Sequence, residues 1–269
     1  MNEISFNPPR LGLFRRYGRV SLVLLGILAL AQGAAWVCGA RFDLLFHGIA
    51  DSMHFMVHLL TPELNAFSDM WQPALTSVFI AVVGTVVGTA ISLLFALLAA
   101  SNIAPRWLRN TTRFLLGLER ALPEIVILLF LVAAFGLGPF AGVLSLAIGC
   151  IGMLGKLIAD AIEELDPVSI DAIQAIGASR VQVILFGVIQ PIIPSIISFA
   201  LFRFEYSIRL SVYLGAVGAG GIGLELYRSF TMLDYGRAAT ALIVTLILVF
   251  VSEWVSGFLR KKIKGGRFQ

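Results

Sequence analysis

Long stretches without a charged residue constrain this chain more than any other feature. Residues 20–40 contain no Asp, Glu, Lys or Arg, and neither do residues 74–100. Each stretch is long enough to cross the apolar part of a bilayer as a helix. Backbone N–H and C=O groups in lipid need partners within the protein, and a helix supplies them within one segment. With 58% hydrophobic and 13% charged residues, the sequence predicts an all-α membrane protein and excludes an ordinary soluble domain.

The apolar stretches divide the chain into about six predicted transmembrane helices. These spans are residues 20–40, 74–100, 118–137, 139–159, 191–213 and 236–259. The predicted domains are a basic tail at 1–19, a first span with an outer segment at 20–73, a core domain at 74–260, and a second basic tail at 261–269.

Lys and Arg residues are distributed unevenly between the two sides of these spans. With six spans, both termini lie on one side, together with the loops after the second and fourth spans. That side and its flanks carry fifteen of the 20 Lys and Arg residues. Because cytoplasmic loops carry the excess of Lys and Arg, both termini are predicted to be cytoplasmic. The positive charge beside apolar spans does not indicate nucleic-acid binding.

The segment between the fourth and fifth spans is predicted to form two capped helices. Asp166 can cap the first helix, and Gly177 permits the left-handed backbone that ends it. Ser179 and Gln182 form a Ser-x-x-Gln capping box, which begins the second helix. Two prolines are expected to end that helix, Pro191 and Pro194. The first helix has one apolar face, made of Val168, Ala172, Ala175 and Ile176. Such a helix pair is suited to docking into a groove on a partner.

This segment resembles the cytoplasmic coupling loop of ABC importer permeases, in which Glu-Ala-Ala is followed by a spaced Gly. Asp171, Ala172 and Gly177 match that pattern in kind and spacing. The resemblance implies that residues 166–190 couple the chain to a cytoplasmic ATPase. The residues expected to do so are Asp166, Asp171, Ala172, Gly177, Ala178 and Ser179. The alternative is an ordinary capped helix pair between two spans.

Further strings resemble the phosphonate-type permeases, which import phosphonates and, in relatives, phosphite or hypophosphite. They are RALPE at 120–124, GLGPFAGVL at 136–144, GKLIADAIEE at 155–164, LFRFEYSIR at 201–209 and VGAGGIG at 217–223. Many of those permeases have a histidine where this chain has Gly149 and Cys150. Phosphite and hypophosphite are therefore expected beside alkylphosphonates as substrates.

The resemblance implies a type I ABC importer permease fold and a non-catalytic subunit of the bacterial inner membrane. Its implied partners are two cytoplasmic ATPases that bind ATP and Mg²⁺, a second permease subunit of the same or a related chain, and a periplasmic substrate-binding protein. No cofactor is implied for this chain itself. A permease for another small solute is the alternative. Two other classes of protein are also considered. One is a transporter driven by an ion gradient, which usually shows internal repeats, and the other is an intramembrane enzyme.

Charged residues within the spans are candidates for the translocation path, because a charge facing lipid is unfavourable. Glu205 and Arg209 have the spacing and order of a favourable helical ion pair. Arg203 lies on another part of the helix, and its guanidinium suits a passing oxyanion. Glu124 is a further predicted residue of the translocation path. If the fifth span instead began near Val181, Arg203 would lie at the membrane interface as an anchor.

Glycines in two places are interpreted as a gate and as helix contacts. Residues 218–223 read G-x-G-x-x-G but lack the strand and the acidic residue of a dinucleotide site. We expect a gate loop there, at Gly218, Gly220, Gly221 and Gly223. Small residues recur along two spans, at Gly84, Gly88, Ser92, Ala96 and Ala100, and at Gly142, Ser145, Gly149 and Gly152. Such stripes let helices pack closely in lipid.

Three histidines and an aspartate share one face of a possible outer helix. They are His47, Asp51, His54 and His58. These side chains could bind zinc, but they equally form the polar face of an amphipathic helix on the membrane surface. The second interpretation is preferred, so no metal site is predicted.

Overall fold

The structure is a computed structural model that describes residues 13–39 and 61–265, with the single positions 48, 53, 56 and 57. It divides into two units, Met1–Val57 and His58–Gln269. In the first unit, helix α1 spans Leu13–Val37. The His47, Asp51, His54 and His58 face lies outside the described residues, so its role stays a prediction.

The second unit is built from helices and contains the core. After a 3-10 turn at Leu64–Ala66, its helices are α2 (Phe67–Ala99), α3 (Arg106–Ala121), α4 (Glu124–Phe135), α5 (Pro139–Glu163), α6 (Pro167–Ala175), α7 (Arg180–Gln182), α8 (Gln190–Leu214), α9 (Ile222–Thr231) and α10 (Tyr235–Gly265). Within the described residues, five helical stretches are long and apolar enough to cross a membrane, namely Val20–Val37, Leu64–Ala99, Pro139–Glu163, Arg180–Ala219 and Tyr235–Ile263.

The predicted third span at 118–137 is wrong as a continuous helix. Helix α3 ends at Ala121, and α4 begins at Glu124 and has 12 residues. Leu122 between them is extended, with φ −87° and ψ 125°. The residue before a proline avoids the α-helical region, and Pro123 has no N–H to donate. Pro123 therefore interrupts the apolar segment and leaves α4 as a short apolar helix beside the five longer candidate spans of the described residues.

The fifth span begins earlier than predicted, because Pro191 and Pro194 do not end a helix. Helix α7 continues through a π turn at Val183–Ile189 into α8, and the helical stretch runs over Arg180–Ala219. In a regular α-helix the Pro191 ring would meet the carbonyl of residue 187. The wider π turn covers that carbonyl and accommodates Pro191, while Pro194 lies inside α8.

Helices α2 and α5 pack closely through the small residues that the sequence indicated. A Cβ on Gly84 would lie 2.7 Å from the Leu146 Cβ, and one on Gly88 would lie 3.0 Å from the Cys150 Sγ. The Ser92 hydroxyl of α2 donates to the Cys150 carbonyl of α5 at 3.2 Å. Side chains larger than hydrogen would separate these helices, so the predicted helix contact is confirmed for this pair.

Candidate functional site

The interruption between α3 and α4 lies at the wall of a cavity of about 480 Å³. Pro123 and Glu124 line it from the interruption, Gly149 lines it from α5, and Arg203 and Tyr206 line it from α8. Four helices, α3, α4, α5 and α8, therefore line one space. Its lining combines charged, aromatic and glycine positions within the membrane-spanning part of the chain.

Arg203 is the central charged group of this cavity. The residue is 2% exposed, and its Nη2 lies 2.7 Å from Glu124 Oε1. Its guanidinium carbon lies 5.0 Å from the centre of the Tyr206 ring, within cation–π range. The Tyr206 hydroxyl donates to Glu124 Oε2 at 3.5 Å. Arg203 is therefore buried and ion-paired. The span does begin near Val181, as the alternative of an interfacial anchor requires, and the depth of Arg203 in the membrane stays a prediction.

Two polar atoms near this pair have no hydrogen-bond partner in the described part of the chain. They are Arg203 Nε and Glu119 Oε2, and both are buried. Glu119 lies over Gly152 of α5, whose missing side chain makes room for its carboxylate. Buried polar groups are normally satisfied. Beside the ion pair, one N–H donor of Arg203 is therefore left without a partner among the described residues.

The predicted helical pair of Glu205 and Arg209 is wrong. Glu205 accepts from Arg260 Nη2 at 2.5 Å, and Arg209 pairs with Glu253. Both partners lie on α10, so these ion pairs connect α8 to α10 instead of stabilising one turn of α8. Of the four residues predicted for the translocation path, the structure brings Arg203 and Glu124 together. Glu205 and Arg209 belong to the α8–α10 contact.

The residues predicted for ATPase coupling lie on α6 and the turn that follows it. The Asp166 carboxylate accepts from the Val168 N–H at 3.0 Å, which confirms the cap. Gly177 has φ +83°, and Ser179 forms the predicted capping box with Gln182. Asp171, Ala172 and Ser179 are exposed, and Ala178 is half-buried. The apolar face is also exposed, since Val168 and Ile176 are 71% and 83% accessible.

The glycine loop follows α8 directly. Gly218, Gly220 and Gly221 have φ values of +123°, +82° and +74°, which L side chains rarely adopt. The Gly218 carbonyl accepts from the Gly138 N–H at 2.9 Å, and the Ile222 N–H donates to the Ser77 hydroxyl at 3.0 Å. Gly223 differs, because it lies in the first turn of α9. The loop is thus held against the starts of α5 and α2.

Comparison with known proteins identifies the family. The family model described as "Binding-protein-dependent transport system inner membrane component" matches residues 92–265. The phosphite transport system permease protein PtxC of Stutzerimonas stutzeri is 34% identical, over 94% of this chain and 92% of that protein. The phosphate-import permease protein PhnE of Mycolicibacterium smegmatis is 35% identical, over 81% of this chain and 42% of that protein. The chain belongs to this family of permeases.

Solved structures agree with the permease fold. A chain of the MetNI methionine ABC transporter in an inward-facing conformation superposes with a TM-score of 0.63 and 19% identity, covering 72% of the permease and 95% of that chain. A chain of a bacterial alginate ABC transporter in complex with its periplasmic protein gives a TM-score of 0.60 and 15% identity, over 94% and 99%. The permease thus has the type I ABC importer fold, as predicted, and is a multi-pass membrane component.

Sequence reasoning missed several residues around the permease's cavity. Tyr206 follows Arg203 by three residues, so helical spacing was an available signal for it. Gly149 was noted as a departure from the family and as one of the small residues of its span, but not as part of the site. Its Cα faces the ion pair, since a Cβ there would lie 2.9 Å from Arg203 Nη2. The ion pairs of Arg260 and Glu253 could not be predicted from local spacing, because their partners lie 55 and 44 residues away.

Proposed function

We propose that this permease is the membrane subunit of an ATP-driven importer for a small phosphorus oxyanion, namely phosphite, hypophosphite or a phosphonate. One observation carries the proposal: the buried Arg203 lines a cavity within the spans, and its Nε has no hydrogen-bond partner among the described residues. Guanidinium groups bind phosphorus oxyanions well. The names of the relatives from Stutzerimonas stutzeri and Mycolicibacterium smegmatis support the same substrate class.

The translocation path runs past Arg203 and Glu124 and along the neighbouring face of α8. Tyr206 and Tyr213 lie on that face, seven residues apart, and are 41% and 70% exposed. Arg209, between them in the sequence, pairs with Glu253 and belongs to the α8–α10 contact. The two phenol hydroxyls need polar partners, which supports water or the second permease subunit beside this face.

Coupling to ATP hydrolysis occurs at the segment 166–190. Two cytoplasmic ATPases, which bind ATP and Mg²⁺, dock on the exposed residues of α6 and the Gly177 turn. The exposed apolar face with Val168 and Ile176 supports this, because uncovered apolar side chains in a capped helix pair suit a groove on a partner. The permease itself hydrolyses nothing and holds no cofactor.

The glycine loop at Gly218, Gly220, Gly221 and Gly223 acts as a gate on the opposite side of the membrane from the coupling segment. Its backbone contacts to the starts of α5 and α2 support this role. A second permease subunit and a periplasmic substrate-binding protein complete the path. The permease lies in the inner membrane with both termini in the cytoplasm, which the distribution of Lys and Arg supports.

Transport in proteoliposomes tests the proposal. The permease is reconstituted with its ATPase subunits and binding protein, and ATP-dependent uptake of labelled phosphite is measured with phosphate, hypophosphite or methylphosphonate as competitors. We expect uptake to fall in Arg203→Ala at substrate concentrations below saturation and to be partly retained in Arg203→Lys. Gly221→Val, in which a Cβ would meet Ser77, should impair uptake without loss of ATPase binding.

Two results would contradict parts of the proposal. If no phosphorus oxyanion competes, the substrate class is wrong. If assembled Arg203→Ala complexes transport as the parent does, Arg203 is not on the path.

A further inference from the structure

The interrupted span places the start of a helix beside the buried arginine. Helix α4 begins at Glu124, its N-cap residue is Pro123, and no side chain caps it. The first N–H groups of an α-helix lack partners within the helix, and this end carries partial positive charge. Interrupted helices in transporters present such ends to anionic groups at membrane depth. The helix start therefore favours an anion in the cavity that Pro123 and Glu124 line.

Arg203 supplies an independent sign of a ligand. Its side chain is 3% exposed, it lines the same cavity, and its Nε has no hydrogen-bond partner among the described residues. Leaving a buried donor unpaired is unfavourable. Glu124 contacts the guanidinium through Nη2 alone, so the pair is not the two-bond arrangement that a carboxylate can make with arginine. Nη1 donates to the Met153 Sδ at 3.8 Å, so Nε is the part of the guanidinium that is available to another acceptor.

Glu124 occupies the position that an anionic ligand would take. One of its carboxylate oxygens lies 2.7 Å from Arg203 Nη2, and the other lies 3.5 Å from the Tyr206 hydroxyl. A tetrahedral oxyanion could use the same two donors together with the free Nε. Gly149 leaves room for this exchange on the α5 side, because a Cβ there would lie 2.7 Å from Glu124 Oε1.

We propose that this cavity is an oxyanion subsite in which Glu124 is a resident counter-anion that the substrate displaces from Arg203. The inference deepens the proposed function and rests on it for the phosphorus class of the anion. In the empty site, Glu124 neutralises the buried guanidinium. When a phosphorus oxyanion enters beside the start of α4, it accepts from Arg203 and Tyr206, and the Glu124 carboxylate moves away. Competition with an internal carboxylate keeps the affinity low, as passage through a transport site requires.

Anion binding to the full-length chain in lipid nanodiscs tests this exchange directly. Phosphite, sulfate and acetate are titrated in turn, and binding is followed by calorimetry, with ³¹P NMR for phosphite. Glu124→Gln keeps the shape of the side chain but removes the competing charge, so we expect it to bind phosphite about tenfold more tightly. Arg203→Ala should lose detectable binding. Arg203→Gln serves the same purpose if Arg203→Ala does not assemble.

A matched control is available in a second ion pair. Glu225 pairs with Arg228 on α9 at 3.3 Å and does not line the cavity. Glu225→Gln should leave phosphite affinity unchanged. A purely structural Glu124–Arg203 pair would instead give weaker or unchanged binding of all three anions in Glu124→Gln, and that result overturns the proposal. Retained binding in a folded Arg203 variant overturns it as well.

The choice of anions separates failure of the subsite from failure of the proposed function. If sulfate or acetate binds more tightly to Glu124→Gln and phosphite does not, the counter-anion exchange holds and the phosphorus class is wrong. If none of the anions binds more tightly to Glu124→Gln, the exchange is wrong, whatever the uptake measurements give.

Discussion

Gly149 is a residue at which a single methyl group should disturb the site. A Cβ there would lie 2.7 Å from Glu124 Oε1 and 2.9 Å from Arg203 Nη2. Both atoms lie at side-chain ends, so they can shift, but only by loosening their mutual contact. We expect Gly149→Ala to lower the free energy of unfolding by about 1–3 kcal/mol, as overpacked interiors do. Thermal unfolding of the purified permease measures this.

Gly117 provides the control for that substitution. It lies in α3, and a Cβ there would meet nothing within 4 Å. Gly117→Ala should leave stability unchanged or raise it by about 0.4–1 kcal/mol, because alanine restricts the unfolded chain. Equal stability of the two alanine variants would mean that the cavity wall relaxes freely around residue 149.

Gly177 is needed for its backbone conformation and not for the space around it. Its φ is +83°, and a Cβ there would meet nothing within 4 Å, so a larger residue causes strain without a clash. We expect Gly177→Val to lose ATPase association and uptake while the protein still inserts, because a β-branched residue is unfavourable at positive φ. Gly177→Asn should retain both, since asparagine tolerates this conformation. Co-purification of the ATPase measures the difference, and equal behaviour of the two variants would argue against the turn as the coupling element.

At the scale of elements, the ion pairs between α8 and α10 replace the helical pair that spacing suggested. Glu205 is 7% exposed, and removal of Arg260 would leave its carboxylate without that partner. We expect Arg260→Ala to lower the free energy of unfolding by about 1–3 kcal/mol, the usual effect of an unsatisfied buried group. Adding Glu205→Gln should restore most of the loss.

Alanine variants of Glu205 and Arg209 decide between the two pairings. If Glu205 and Arg209 formed a helical pair, Glu205→Ala would rescue Arg209→Ala. The structure pairs Arg209 with Glu253, so we expect no rescue. Unfolding midpoints of the single and double variants provide the comparison, and a clear rescue would restore the helical pair.

At the scale of the whole molecule, orientation follows from charge. Fifteen of the 20 Lys and Arg residues lie on or beside the side that holds both predicted cytoplasmic termini. A fluorescent protein that matures only in the cytoplasm should therefore fluoresce when it is fused after Gln269. The same reporter fused after Leu233, between α9 and α10, should stay dark. The reverse pattern would invert the topology and place the coupling segment away from any cytoplasmic ATPase.

Local features of this chain were readable from the sequence because their causes are local. Uncharged runs predict spans since a bilayer excludes unpaired charge. The caps at Asp166 and Ser179 and the left-handed turn at Gly177 depend only on neighbouring residues, and the structure confirms all three. Two local predictions were wrong. Pro191 was expected to end a helix, but a π turn accommodates it, and the apolar segment around Pro123 was expected to be one continuous helix, but the proline interrupts it.

The pairing of charged residues in and near the cavity is determined by the tertiary structure. Arg203 meets Glu124 across 79 residues and Glu205 meets Arg260 across 55, so no helical period relates the partners. Which helices become neighbours depends on how glycine and small residues let backbones approach, as at Gly84 and Gly88 of α2. The sequence by itself determined the membrane class, the capped segment and the presence of charges within the spans. Only packing decided which charges neutralise each other, because a buried charge takes the partner that the folded helices bring within reach.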